Sequence, residues 1–247
     1  MNFKQSSNKK TSLQTASDTN YAGVAELWAI EESLKKYNAD VVHKLTRFFN
    51  NRLRILEFGA GIGTLAELWS NKTGITPECL EIDVDLNRVI QERGFICYEN
   101  LDDIGGLFDG IYTSNVLEHI EDDGAILGKL YEKLEENGIL AVYVPAFMCL
   151  YSNMDLAVGH YRRYTAKDLC GKLESSGFEI IHQSYSDGVG FFVWLYLKMR
   201  NRHGGGELSN YKMLSIYDKF VYPISCFFDA VGIKRLFGKN LLVIAKK

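Results

Sequence analysis

Apolar positions recur along the chain with two periods, and the change from one period to the other predicts the order of helices and strands. Residues 21–37 and 39–49 carry apolar side chains at helical spacing, so two helices should come first. Further along, short apolar runs alternate with amphipathic stretches. The runs that predict strands are 55–58, 78–83, 94–98, 108–114, 139–144, 178–185 and 241–245. Strands that alternate with helices are typical of an open α/β sheet.

Two parts of the chain depart from this alternation of strands and helices. Residues 1–20 are polar and lack the apolar segment of a signal peptide, so we expect a disordered tail there. Residues 21–247 then form a single domain. Within it, about 188–236 form an inserted cap, with an aromatic segment at 188–200, a glycine-rich link at 201–209 and a helix at 211–231. The apolar side chains of this cap are either core, or a lid that accepts a lipid tail or lies on a membrane surface.

A glycine-rich loop joins the first strand to the helix that follows it. The loop has the spacing Glu57-x-Gly59-x-Gly61-x-Gly63. Gly59 can take the positive φ of a tight turn, while Gly61 and Gly63 lack the Cβ atoms that would keep a ligand from the backbone. The dinucleotide fingerprint G-x-G-x-x-G would need glycine at Thr64, so the spacing points away from NAD. The alternative is a glycine-rich turn without function.

Acidic residues follow the second strand, about 20 residues beyond the glycines. A carboxylate at this place can accept hydrogen bonds from both ribose hydroxyls of an adenosine. Glu81 is preferred to Asp83 because the two alternate onto the same face and Glu81 lies nearer the apolar run. A pair of solvated loop acids is the alternative.

The fourth strand ends at the segment 115–123, where ligands bind in open α/β sheets. His119 is a candidate general base for an acceptor hydroxyl, because an imidazole titrates near neutral pH. It can equally brace the loop before the next helix. A metal site made of Glu118, His119 and a distant histidine is conceivable, but Asn115 replaces a further acid, so we predict no metal.

A second polar cluster lies in the segment 147–164, which we expect to be a loop over the cleft at the end of the fifth strand. It contains Asp155, His160, Arg162, Arg163 and Tyr164. Adjacent arginines usually face solvent or pair with surface acids. At this place they favour a bidentate clamp on a phosphate or carboxylate of a substrate or cofactor.

Composition narrows the class of protein. The 247 residues are 47% hydrophobic and 24% charged, which is ordinary for a globular chain. A net charge of −3 without a dense Lys/Arg block argues against a nucleic-acid partner. The five cysteines show no C-x-x-C pair and fit reduced core residues of a cytoplasmic protein. The longest apolar stretch, 189–197, is about half the roughly 20 residues that cross a bilayer, so only peripheral contact with the inner face of a membrane stays open.

Together, the spaced motifs resemble class I S-adenosylmethionine-dependent methyltransferases. They are Leu-Glu-Phe-Gly-Ala-Gly-Ile-Gly from 56, Asn-Val-Leu-Glu-His-Ile-Glu-Asp-Asp from 115, Val-Pro-Ala-Phe from 144, Gly-His-Tyr-Arg-Arg-Tyr from 159 and a terminal Leu-Leu-Val-Ile-Ala-Lys-Lys. The resemblance covers nearly all of 21–247. It is strongest to a bacterial and archaeal group that is similar to the ubiquinone-type enzymes and often accompanies glycosyltransferases acting on polyprenyl phosphates.

The resemblance implies a seven-stranded, mostly parallel, Rossmann-like sheet with helices on both faces and an antiparallel last strand. It implies S-adenosylmethionine as the cofactor. The implied cofactor-binding residues are Glu57, Gly59, Gly61, Gly63, Glu81, Ile82, Asn100, Leu101 and Asn115. His119 and His160 become candidate catalytic residues, and Asp155, Arg162, Arg163 and Tyr164 candidate substrate-binding residues. The group usually has an acid at the position of Asn100, where the side chain is expected to contact the adenine of the cofactor. This chain therefore departs from the pattern there.

The expected reaction is methyl transfer, with oxygen as the favoured acceptor atom, to a small polar, saccharide or lipid-linked molecule. Methyltransferases that act on the ring amino groups of nucleic-acid bases usually carry Asn/Asp-Pro-Pro-aromatic after the fourth strand, and the three separated prolines exclude that signature. Two other classes stay open: a nucleotide-binding oxidoreductase, and a non-catalytic partner protein with the same fold. The sequence leaves the oligomeric state open.

Overall fold

The computed structural model describes residues 24–201 and 211–247, so the predicted tail at 1–20 and most of the glycine-rich link lie outside the described residues. The strands are β1 Ile55–Phe58, β2 Glu78–Leu80, β3 Cys97–Tyr98, β4 Phe108–Ser114, β5 Leu134–Pro145, β6 Glu179–Ser186 and β7 Asn240–Lys246. The helices are α1 Val24–Ser33, α2 Lys35–Thr46, α3 Thr64–Thr73, α4 Val84–Glu92, α5 Asp123–Glu132, α6 Asn153–Ala157, α7 Ala166–Ser175, α8 Gly188–Asn201, α9 Tyr211–Ile216 and α10 Tyr222–Ala230.

All seven strands belong to one sheet in the order β3-β2-β1-β4-β5-β7-β6. The pairs among β1 to β5 are parallel, and β7 runs antiparallel between β5 and β6. The predicted mostly parallel sheet with an antiparallel last strand is therefore confirmed. The strand order reverses between β1 and β4, and ligands bind in the crevice at such a switch point.

Helices cover both faces of the sheet, as predicted. Side chains of β5 alternate between two buried clusters, because neighbouring residues of a strand point to opposite faces. Leu140 and Val142 pack with Leu127 of α5 and Leu169 of α7 on one face. On the other face, Ile139, Ala141 and Tyr143 pack with Val42 and Leu45 of α2, Trp69 of α3 and Tyr222 of α10.

The first two helices meet at Leu34, whereas the sequence pattern had placed the break at Asn38. The reason is a long-range contact at the start of α2. The carboxylate of Asp218 accepts hydrogen bonds from the backbone N–H groups of Lys36 at 2.9 Å and Tyr37 at 2.8 Å. These amides have no partner within the helix, so a distant side chain determines where α2 begins.

Four strands differ in length from the prediction, although β7 is longer by only one residue at each end. Strands β2 and β3 are shorter, and the amides of Gly59 and Ala60 bind the carbonyl of Leu80, where β2 ends. Strand β5 is longer and begins at Leu134, so it includes Asn137 and Gly138. The helix before it, α5, ends at Glu132.

The predicted cap helix at 211–231 is unbroken in sequence, but its type changes along its length. Helix α9 leads into a π-helical turn, Tyr217–Val221, and then into α10, where Pro223 occupies the first turn. Proline is tolerated there because the first amides of a helix need no partner within it. No helix in the described part of the chain combines the length and apolar character needed to cross a membrane.

Candidate active site

A cavity of about 520 Å³ lies at the carboxyl ends of β1, β2 and β4. Its floor is the glycine loop, and α1 and α2 form one wall through Leu27, Ile30, Tyr37 and Val41. The two N-terminal helices therefore lie over the cleft. All of the predicted cofactor-binding residues line the cavity except Gly63, which comes directly before α3.

The glycine loop has the backbone conformation that its sequence predicts. Gly59, Gly61 and Gly63 have φ values of 77°, 59° and 80°, a region that disfavours residues with a Cβ atom. A Cβ atom on Gly59 would lie 2.4 Å from Cγ2 of Val116, whereas one on Gly61 would meet its nearest neighbour, Cδ1 of Leu27, only at 3.9 Å. Gly59 is thus required for packing, and Gly61 leaves open space for a ligand.

Glu81 faces the glycine loop. Its Oε2 accepts a hydrogen bond of 2.8 Å from the amide of Gly61, and its Oε1 accepts one of 3.1 Å from the amide of Asp83. Burial raises the pKa of Glu81, and these two amide bonds oppose the shift. Asp83 instead caps α4 through the amides of Asp85 and Leu86. The choice of Glu81 over Asp83 therefore agrees with the geometry.

Glu57 lies at the end of β1 and is almost fully buried. The hydroxyl of Tyr112 donates a hydrogen bond of 3.0 Å to its Oε2, and the ring of Tyr112 stacks on Trp69. Burial raises the pKa of Glu57 to about 8, although the bond from Tyr112 opposes the shift. In the free protein this carboxyl is therefore mostly protonated at neutral pH, and a cationic ligand would favour its ionised form.

Glu57 should make the protein less stable as pH rises. Its pKa is about 8 in the folded protein, against roughly 4.3 in an unfolded chain. Between these values the folded state holds a proton that the unfolded state releases, so the free energy of unfolding falls by at most about 1.4 kcal/mol per pH unit. Urea titrations from pH 5 to 8 should show a smaller decline for Glu57→Gln than for the natural protein. Equal slopes would contradict this prediction.

The remaining predicted cofactor residues lie at the far side of the cavity. Leu101 is buried, while Ile82 is exposed next to Glu81. The Oδ1 of Asn100 accepts a hydrogen bond of 3.3 Å from the amide of Asp102, a contact that is typical of a polar turn. Asn115 has a positive φ of 55° and donates from Nδ2 to the hydroxyl of Ser114.

Sequence reasoning missed the residues that attach α1 to the glycine loop. Glu31 accepts hydrogen bonds from the hydroxyl of Thr64 and, at 2.9 Å, from Arg93. The guanidinium of Arg93 also lies 4.2 Å from the ring centroid of Trp28. These contacts join residues that are far apart in the chain, so no local pattern could have indicated them.

The two candidate catalytic histidines are neighbours. Their ring centroids are 4.5 Å apart at an interplanar angle of 83°, and His119 lines the cavity while His160 lies behind it. Burial, reinforced by His160, lowers the pKa of His119 to about 4, and a hydrogen bond with the backbone of Val158 opposes the shift. His119 is therefore neutral at physiological pH.

Glu118 completes a cluster with these histidines. Its side chain is fully buried, neither carboxylate oxygen has a hydrogen-bond partner among the described residues, and burial raises its pKa to about 8. Ligand atoms of Glu118, His119 and His160 all lie within 4.8 Å of one another. Two imidazoles and a carboxylate can hold a divalent ion. The absence of a metal therefore stays a prediction.

Asp155 and Arg163 are paired in the interior. Arg163 donates from Nε to Oδ1 of Asp155 at 2.8 Å, and Nδ1 of His160 lies 2.9 Å from the same oxygen. Burial would raise the pKa of Asp155, but the bonds from His160 and Arg163 outweigh it and lower the pKa to about 2. The ionised Asp155 thereby holds the Nδ1–H form of His160.

Arg162 and Tyr164 have a different partner. Arg162 lies 2.7 Å from the carboxylate of Asp123, and the hydroxyl of Tyr164 donates to the same group at 2.8 Å. The segment around them is also not simply a loop, because it contains the helix α6. None of the four predicted substrate-binding residues is among the described residues that line the cavity. Both arginines pair with buried carboxylates of the protein, whereas the alternative to a substrate clamp had been solvent or surface acids.

A family described as "Methyltransferase domain" matches residues 30–183, a range that contains the glycine loop, Glu81 and His119. The chain belongs to this family. As a member, it carries a methyltransferase domain, and the cavity fits S-adenosylmethionine, the predicted cofactor, in volume and chemistry. The bare backbone of Gly61 and the carboxylates of Glu57 and Glu81 line the side on which the cofactor was expected.

Solved structures of methyltransferases share the fold. A SAM-dependent methyltransferase from Archaeoglobus fulgidus has a TM-score of 0.58 at 19% identity, with 90% of this chain and 99% of that chain covered. A possible histamine N-methyltransferase from Thermotoga maritima has a TM-score of 0.58 at 12% identity, covering 90% and 94%. Phosphoethanolamine N-methyltransferase 2 from Haemonchus contortus, in complex with S-adenosylmethionine, has a TM-score of 0.55 at 15% identity, covering 84% and 52%.

A search of the curated proteins found no significant match. The comparisons establish the family and the fold of this methyltransferase. They do not distinguish the ubiquinone-type or glycosyltransferase-associated group from its other members, so that assignment stays a prediction.

Proposed function

We propose that this methyltransferase transfers a methyl group to a hydroxyl oxygen of a small polar, saccharide or lipid-linked acceptor that binds beside His119. The observation that carries the proposal is the position of His119, a neutral imidazole in the wall of the cofactor cavity. A neutral imidazole can accept the proton of a hydroxyl group, whereas a protonated one cannot.

The two buried acids of the cavity would hold the cofactor. Glu81, fixed by the amides of Gly61 and Asp83, would accept hydrogen bonds from the ribose hydroxyls. Glu57 would face the positively charged methionine end, and Leu101 would pack on the adenine. When bound, S-adenosylmethionine supplies an electrophilic methyl group on a sulfonium centre. Holding it in line with the acceptor oxygen can contribute about 7–11 kcal/mol of barrier reduction.

His119 and His160 would have separate roles. His119 would hydrogen-bond the acceptor hydroxyl, orient its oxygen toward the methyl group and take its proton as the new C–O bond forms. With a pKa of about 4 it is a weak base, so positioning would be a large part of its effect. His160, which Asp155 holds, would keep the ring of His119 in place and act as a positioning residue.

The proposal is tested by release of S-adenosylhomocysteine with a panel of acceptors that includes methyl glycosides, a polyprenyl-phosphate sugar and primary amines. Turnover should require a hydroxyl acceptor and fall by about 10²–10⁴ in His119→Ala, with cofactor affinity unchanged in calorimetry. His43→Ala, on the exposed side of α2, is the matched control and should have no effect.

Four outcomes would contradict this function. Transfer to amines alone would exclude the oxygen acceptor, and full turnover in His119→Ala would exclude its role. A protein that binds S-adenosylmethionine and never releases S-adenosylhomocysteine would be the non-catalytic partner that the sequence left open. A melting temperature raised by NADH and not by S-adenosylmethionine would favour an oxidoreductase.

A further inference from the structure

The cap helix from Tyr211 to Ala230 buries three polar side chains that bind other elements. Asp218, Ser225 and Asp229 are all buried, and each accepts hydrogen bonds from backbone amides of another element. Asp218 binds the start of α2, and Asp229 binds the amides of Asp187 and Gly188 at 2.7 and 3.1 Å. Ser225 accepts from the amide of Val189 at 3.0 Å. The inward face of this helix is polar because it caps other helices.

Large apolar residues of the same segment form an exposed stripe, because they recur every three or four positions along the helix. They are Met213, Ile216, Phe220, Ile224, Phe227 and Val231, and each exposes between 49% and 66% of its surface. Helix α8, which packs against α10, adds exposed Phe192, Tyr196 and Met199. Contiguous apolar surface of this kind marks an interaction site.

The charges beside the stripe are basic. Arg200, Lys219 and Arg235 are exposed, and Lys234 is half-buried. In the described parts of the cap, 188–201 and 211–239, the acidic side chains are Asp218 and Asp229, which are both buried. The chain as a whole has a net charge of −3, so this part of the surface differs in sign from the whole protein.

We propose that this apolar and basic face of the cap, 188–201 and 211–239, binds the surface of an anionic phospholipid membrane. Helices that lie in a membrane interface combine aromatic and aliphatic residues with Lys and Arg, which contact lipid phosphates. A second copy of the chain fits less well, because it would bring the same basic residues against one another.

The proposed surface is separate from the cavity but close to its wall. Helix α9 packs on α1, and the π-helical turn packs on α2, so the helices that enclose the cavity rest on the cap. A membrane bound to the cap would therefore lie near the proposed acceptor site. The inference does not depend on the acceptor, although a lipid-linked acceptor would reach the cavity most easily from such a surface.

Flotation with vesicles tests the proposal. The full chain should bind vesicles of phosphatidylcholine mixed with phosphatidylglycerol and not vesicles of phosphatidylcholine alone. Phe220→Ser combined with Phe227→Ser should weaken binding roughly a hundredfold, since both rings would lose their contact with lipid. Lys219→Glu combined with Arg235→Glu should remove the preference for phosphatidylglycerol. The matched control replaces Leu53 and Ile96, equally exposed residues outside the cap, with serine and should bind like the natural protein.

Binding of S-adenosylmethionine in calorimetry shows that each variant is folded. Because cofactor binding and vesicle binding are measured separately, a failure of one can be distinguished from a failure of the other. If the phenylalanine variant does not fold, the charge variant alone decides the test. Vesicle binding that is absent from the natural protein, or unchanged in both variants, would overturn the proposal. A natural protein that sediments as a dimer, dissociates in the phenylalanine variant and ignores vesicles would assign the face to a second copy and would equally overturn it.

Discussion

Replacing Gly61 with valine should abolish the binding of S-adenosylmethionine while the protein stays folded. Gly61 lines the cavity, and the space beside it is open to Leu27 at 3.9 Å, so the new side chain would project to where the cofactor binds. Its amide also holds Glu81, the expected ribose ligand. We expect affinity in calorimetry to fall by roughly a hundredfold or more, since a methylene-sized overlap alone costs ~1–3 kcal/mol and valine adds three carbons.

Gly74→Val provides the matched control. Gly74 follows α3 with a φ of 74°, close to the 59° of Gly61, but it has open space around it and does not line the cavity. Both variants should lose about 1–2 kcal/mol of stability through the left-handed backbone. Only Gly61→Val should lose the cofactor. Gly59 is unsuitable because its substitution would collide with Val116, and unchanged affinity in Gly61→Val would disprove the assigned cofactor position.

The parts of this site that the sequence predicted depend on local geometry. The glycine loop could be recognised because positive φ and close approach both require glycine at fixed spacing. Glu81 could be selected over Asp83 because side chains of a strand alternate with a period of two. The mostly parallel sheet with an antiparallel last strand followed from the family resemblance.

The parts that the sequence did not indicate depend on contacts between distant residues. The start of α2 is determined by Asp218, which lies 181 positions from Tyr37. An arginine at the position of Arg163 can bind a ligand or pair with a buried acid, and the sequence does not distinguish the two roles. In the structure Arg163 pairs with Asp155, which lies on helix α6. Sequence reasoning had treated that segment as a loop and so had no reason to orient Asp155 inward.

Replacing Arg163 with alanine should therefore destabilise the protein severely. Asp155 is nearly fully buried, and loss of its guanidinium partner would leave a carboxylate in the interior with only His160 and Ser152 to bind it. Breaking a buried ion pair in this way costs ~3–5 kcal/mol, which corresponds to a fall in melting temperature of about 10 °C for a chain of this size. Differential scanning fluorimetry or urea unfolding measures the loss.

The stability loss should also depend on pH in a way that a substrate-binding role would not produce. Without Arg163 the pKa of Asp155 would rise from about 2, so the carboxyl could take up a proton, and the deficit should be smaller at pH 5 than at pH 8. Arg162→Ala is the matched control. This variant should lose about 1 kcal/mol of stability or less, since Asp123 keeps Lys172 and Tyr164 as partners. Combining Arg163→Met with Asp155→Asn should recover most of the stability by removing the buried charge. An arginine that clamps a substrate would instead leave the melting temperature of Arg163→Ala unchanged and raise KM for the acceptor.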